Sequence, residues 1–190
     1  MQGKNKPAVA VTAMAIATVG GGTAASAAQA QDEVLQATTT TFTGGGGGWC
    51  FKGSANATYI AAGPATGPYP GTSNQTNANV SVSVLSWTSR TLTLSIPFTI
   101  SSGGTTITGT VTNPPTYAGG SLLCGSGSMQ TAGVIIAANG ATYIATIQSQ
   151  GHTQSVKGTA QVSASFEFRP QHVLGTPPTV TLLNFPSPLS

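Results

Sequence analysis

Residues 159–168 read Thr159-Ala160-Gln161-Val162-Ser163-Ala164-Ser165-Phe166-Glu167-Phe168. Ala160, Val162, Ala164, Phe166 and Phe168 share one parity, and Thr159, Gln161, Ser163, Ser165 and Glu167 share the other. Side chains two apart lie on one face of a pleated strand, so this is a ribbon with one apolar and one polar side. The alternation recurs along the chain, and no segment shows a helical period of comparable quality. The fold class is therefore all-β. Parallel strands need long crossovers, which are absent, so the sheet should be an antiparallel meander closing as a β-barrel or folding as a β-sandwich.

Upstream, Leu92, Leu94, Ile96, Phe98 and Ile100 form a five-residue apolar face, interrupted by Pro97. Proline lacks the N–H of a ladder, so Pro97 should sit at a bulge or on an edge. Ser101-Ser102-Gly103-Gly104 reads as a turn, and residues 105–112 return with a polar row of Thr106, Thr108, Thr110 and Thr112. A second hairpin is expected between residues 134–136 and 142–147, because Asn139-Gly140 suits a type I′ turn. A short strand over 153–157 should stop at Gly158, and a last one should run over 179–183. Further strands are expected over 55–62 and from Val80, with a bulge or strand end near Val84-Leu85. Residues 63–77, rich in Gly, Pro, Asn, Ser and Thr, read as loop. In all, seven or eight strands are expected.

The start of the chain reads as a processing signal. Lys4 and Lys6 precede a weakly apolar stretch over 8–19, and Ala25-Ser26-Ala27 and Ala28-Gln29-Ala30 both offer small residues for cleavage. A cut after Ala30 is expected, making 1–30 a signal peptide. Gly20-Gly21-Gly22 argues against a permanent span. Residues 31–48, with Thr38 to Thr41 and Gly44 to Gly48, read as a flexible Thr/Gly-rich leader. A single β domain should then occupy 49–185, with a tail over 186–190.

Beyond residue 30 the charges are Lys52, Arg90, Lys157 and Arg169 against Asp32, Glu33 and Glu167, a formal net of +1. That excludes a basic stripe for nucleic acid and a polybasic membrane patch. No membrane association is expected after cleavage. A net charge near zero gives little protection against self-association. Cys50 and Cys124 are the only cysteines, and an exported chain with an even count suggests one disulfide. It would close a loop of about 75 residues, worth roughly 4–5 kcal/mol in the chain-entropy account. Two free buried thiols are the alternative.

Gly67-Pro68-Tyr69-Pro70-Gly71-Thr72, then Phe98-Thr99-Ile100, Thr106-Ile107-Thr108-Gly109-Thr110, residues 143–147 and Ser165-Phe166-Glu167-Phe168 resemble a group of exported bacterial β-rich proteins of unknown function carrying a GPYPGT-type segment. The likeness covers most of 55–169. It departs at Ser73-Asn74-Gln75-Thr76, where the group has an aromatic and an acidic residue. The resemblance implies an exported β domain and no particular activity.

The inventory points away from an enzyme, and no catalytic residue is assigned. Glycoside hydrolysis needs paired carboxyls. Glu167 falls on a polar face, and Asp32 and Glu33 fall in the leader. Serines are too many to inform, no Gly-x-Ser-x-Gly elbow occurs, and the histidines are His152, in a turn, and His172, just past Arg169-Pro170. No metal or other cofactor is implied, since zinc wants three or four ligands and calcium a carboxylate cluster. Aromatic rings offer the remaining hint: Trp49, Tyr69 and Trp87 lie in or near loops, where exposed rings stack on sugars. Three Asn-x-Ser/Thr triplets begin at Asn56, Asn74 and Asn79; in so Asn- and Thr-rich a chain they are chance matches. The expectation is a secreted, non-enzymatic structural, adhesive or surface-interaction domain meeting an extracellular glycan or a cell-surface protein. A carbohydrate-binding module, or a small barrel that binds or isomerises an apolar ligand, is the alternative.

Overall fold

The computed structural model describes residues 30–47, 53–84, 90–113, 121–124, 132–168 and 172–188. Among them lie ten strands and no helix. They are β1 (Gln31–Gln36), β2 (Thr39–Gly47), β3 (Gly53–Thr66), β4 (Gly71–Val84), β5 (Arg90–Ser102), β6 (Thr105–Thr112), β7 (Ser121–Cys124), β8 (Ala132–Ser149), β9 (His152–Phe168) and β10 (Val173–Phe185). Every pairing is antiparallel. Eight strands close a ring in the order β1-β10-β9-β8-β6-β5-β4-β3, and β3 returns to β1. The fold is thus a meander closed as a barrel, not a sandwich. β2 follows β1 along the same edge of β3, and β7 pairs β8 beyond the end of β6.

The closing strand is β1, so residues 31–47 are not the flexible leader expected. Leu35 faces Val180 of β10 on one side and Ala65 of β3 on the other. Glu33, Leu35 and Ala37 point inward and are buried. β2 pairs residue for residue with β3, from Thr39 opposite Ala62 to Gly47 opposite Ser54. A polar, Gly-rich segment carries little strand signal of its own, but neighbours distant in sequence supply its ladder.

The Asn139-Gly140 hairpin is also absent. Residues on both sides belong to the single strand β8. Asn139 pairs Gln161 and Ala141 pairs Ala160, so Gly140, at φ +88°, is the extra residue of a bulge. Nor does Gly158 break β9. It faces Tyr143, and an added Cβ would stand 2.6 Å from the tyrosine hydroxyl. Likewise, the expected loop over 63–77 shrinks to residues 67–70. The remainder joins β3 and β4, with Asn77 at φ +54° in a bulge.

The hairpin of β5 and β6 forms as its pattern predicts, around Gly103 and Gly104. Pro97 sits where β4 and β5 slip register, between Gln75–Phe98 and Asn79–Ser95, so its missing donor falls at a bulge. The phase change expected near Val84-Leu85 falls at the limit of the described residues, since β4 is described to Val84 and residues 85–89 lie outside them.

The inward parity of each strand builds the core. Tyr59, Leu94, Ile96, Ile100, Ile107, Leu182 and Phe185 are fully buried. Phe98 and Phe166 complete the layers, and Phe42 of β2 packs at 5.5 Å from Phe166 and 5.9 Å from Tyr59. Where β6 ends, the side chain of Asn113 substitutes for a missing ladder partner, accepting the Leu94 N–H at 2.7 Å.

Candidate functional site

One barrel end is formed by the start of β1, the β3–β4 connection at 67–70, and the ends of β8 and β10. Tyr69 turns inward from that connection and is 4 % exposed. Its ring meets Phe185 edge-on, with centroids 5.8 Å apart at 87°. Phe185 in turn lies 5.6 Å from Tyr143 at 38°. Three rings therefore close this end from within, and each such pair adds about 0.5–1.5 kcal/mol beyond its buried area.

Beneath them stands Glu33, completely buried. Its Oε2 accepts the Tyr69 backbone N–H at 2.8 Å, while Oε1 has no hydrogen-bond partner. Burial pushes the Glu33 carboxyl above its ordinary range, and the Tyr69 N–H opposes this less strongly. Burial, with the Glu33 charge second, pushes the Tyr69 phenol up, and burial does the same to Tyr143. Deeper in the barrel, the Tyr59 hydroxyl donates to Gln75 Oε1 at 3.0 Å, and burial raises that phenol as well.

This arrangement offers one carboxyl, not two. Asp32 points outward and accepts the Asn184 N–H at 3.0 Å. Glu167 lies seven residues along β9 from Ala160, which shares the row of Leu182 and Glu33, and seven strand residues span about 23 Å. His152 is exposed at the β8–β9 turn opposite Ser149, fifteen residues from Glu167, and His172 is exposed just before β10. No group of three or more His, Cys, Asp or Glu among the described residues is placed to hold a metal.

Of the three rings expected on the surface, Tyr69 is instead an interior side chain: its loop folds back under the barrel end, so it presents no stacking face. Trp49 and Trp87 lie outside the described residues, as does Cys50. Cys124 ends β7 opposite Ala132. Sequence reasoning missed Glu33. Its only signal was the parity it shares with Leu35 and Ala37, which Val34 obscures.

The outer surface has its own order. Thr99, Thr108, Thr146 and Ser155 stand opposite one another across β5, β6, β8 and β9, and Ser101, Thr106, Gln148 and Thr153 form the adjacent row. Adjacent strands stand about 4.8 Å apart, so these rows form a curved grid of hydroxyl and amide groups. Ile144, 70 % exposed, interrupts the grid between Thr110 and Lys157. At the β8–β9 turn lies a recess of about 310 Å³ lined by Ile147, Ser149, Gln150, His152, Thr153 and Gln154.

No protein-family model, curated protein or solved structure matches the chain.

Proposed function

We propose that this protein is an exported, non-enzymatic β-barrel that acts through its outer face as a structural or adhesive module. The observation that carries this reading is the contrast between the two sides of the wall. The inside is packed mainly with apolar side chains, with one buried carboxyl and few other polar groups such as the Tyr59–Gln75 pair, whereas the outside presents registered rows of hydroxyl and amide groups with few charges. Such rows suit a neutral, hydroxyl-rich partner such as an extracellular glycan, or a polar protein surface. In this reading residues 1–30 are removed on export, and Cys50 and Cys124 form a disulfide. The resemblance to exported β-rich proteins supports the same placement.

The test is retention of the purified protein on a broad glycan array and on intact cells. Retention lost in Thr108→Arg/Thr146→Arg, with the thermal midpoint unchanged, is the expected result. No retention on either support, or retention indifferent to those substitutions, overturns the surface reading. N-terminal sequencing of exported protein should begin at Gln31, and alkylation without reductant should label no thiol.

A second reading, a barrel that encloses a small apolar ligand, is favoured by one specific observation: the Glu33 oxygen inside the wall has no donor, and a bound hydroxyl would supply one. Co-purification of a small molecule released on denaturation would support it.

A further inference from the structure

We propose that Glu33 is a proton-operated latch on the 67–70 loop: with its carboxyl neutral the loop stoppers the barrel end, and on ionisation the loop releases and opens the aromatic layer beneath it. This goes beyond the surface role above and does not depend on it.

The geometry makes the loop and the carboxyl one unit. The loop's hydrogen bond to Glu33 runs from the Tyr69 N–H to Oε2, and Gly67, at φ +141°, brings its backbone so close that an added Cβ would stand 2.9 Å from the same oxygen. The Tyr69 ring is inserted against Phe185, which rests on Tyr143. An ionised carboxylate has about four acceptor sites and needs several donors when buried. Glu33 has one. Its Oε1 is buried without a partner. A neutral carboxyl needs less: one oxygen still accepts the Tyr69 N–H, and the buried charge is gone. The single N–H does favour the anion, but burial outweighs it. Water reaches the carboxylate most directly if the loop lifts away.

Among the described residues no neighbouring cation relieves the charge. On β1 the adjacent group is Asp32, also acidic and directed outward. The facing stretches of β10 and β3, around Leu182 and Thr66, carry no titratable side chain, and Tyr69 is the only one on the loop. Behind Phe185 stands Tyr143 of β8. On β9, Lys157 and His152 are exposed to solvent. In the processed form proposed above, the α-amino group of Gln31 joins this end.

The latch is read at the Tyr69 amide, the donor itself. Hydrogen exchange of the full chain is followed at pH 5 and pH 8 and corrected for the intrinsic rate. Linkage sets the scale at about tenfold for each pH unit by which the carboxyl midpoint in the closed loop exceeds that in the open one. Protection of Tyr69 should therefore fall toward pH 8 in the wild type and stay level in Glu33→Gln, while the Ile107 and Val111 amides of β6 stay level in both. A wild-type Tyr69 amide equally protected at both pH values, or a fall of the same size in Glu33→Gln, overturns the latch. Should the variant not fold, a carbon-13 titration of the wild-type Glu33 carboxyl decides: the Tyr69 amide shift must follow the same midpoint, above 4.5, and a midpoint at or below that value overturns the proposal.

Discussion

Replacing Leu35 by alanine separates two views of residues 31–47. If residues 31–48 were a flexible leader, the change would alter stability by no more than about 0.5 kcal/mol, as exposed substitutions do. In the barrel, Leu35 is 0 % exposed and stands between Val180 and Ala65 at the point of closure. Truncation there removes three buried carbons, about 2–2.5 kcal/mol of transfer free energy at 0.8 kcal/mol per carbon. A partly unfilled cavity adds to this, and buried Leu→Ala changes span about 2–5 kcal/mol. A loss of about 3 kcal/mol is therefore expected. In urea, with a slope of roughly 2 kcal/mol/M, the midpoint should fall by about 1.5 M at unchanged slope. The thermal midpoint should fall by about 6–12 °C for a domain of this size. Gln36→Ala, one residue on and exposed, is the control and should stay within about 0.5 kcal/mol. A Leu35→Ala loss no larger than that of the control would refute the closure argument.

Gly158→Ala should cost about 1–3 kcal/mol, measured by urea unfolding, because the new methyl meets the Tyr143 ring and hydroxyl in a packed interior. Tyr59→Phe leaves buried Gln75 Oε1 without its donor and should cost about 1–3 kcal/mol in the same assay. The Glu33 carboxyl is raised in the folded state above its unfolded value near 4.5, so the folded state binds the proton more tightly. Its contribution to stability is therefore full below about pH 4.5 and is lost as pH rises through the folded value. Unfolding free energies against pH should show that decline in the wild type and a flatter profile in Glu33→Gln.

What was legible in the sequence was whatever the local pattern alone determines. The 159–168 ribbon keeps its parity in β9, with Ala160, Val162, Ala164 and Phe166 all buried, and the Gly103-Gly104 hairpin forms where glycines allow positive φ. Legibility failed where distant strands overrule local chemistry. Asn139-Gly140 has the composition of a turn, yet β9 runs alongside it and absorbs it as a bulge. The Gly run of β2 has no apolar alternation to read, but β3 pairs with every residue of it. Glu33 illustrates the same limit at the candidate site. A carboxyl near a Gly-rich stretch reads as solvated, and only closure of the ring by β1 places it inside. Tyr69 is similar: a Pro-flanked loop tyrosine suggests an exposed ring, and nothing local reveals that the loop folds inward.

The central claim is that β1 joins both edges of the sheet into a ring. The direct measurement is a nuclear Overhauser spectrum of the labelled full chain, examined for cross-peaks from the backbone and side chain of Leu35. The ring predicts contacts from this one residue to Val180 on β10 and to Ala65 on β3 in the same sample. Random-coil shifts over residues 31–36, with neither set of cross-peaks, would contradict it.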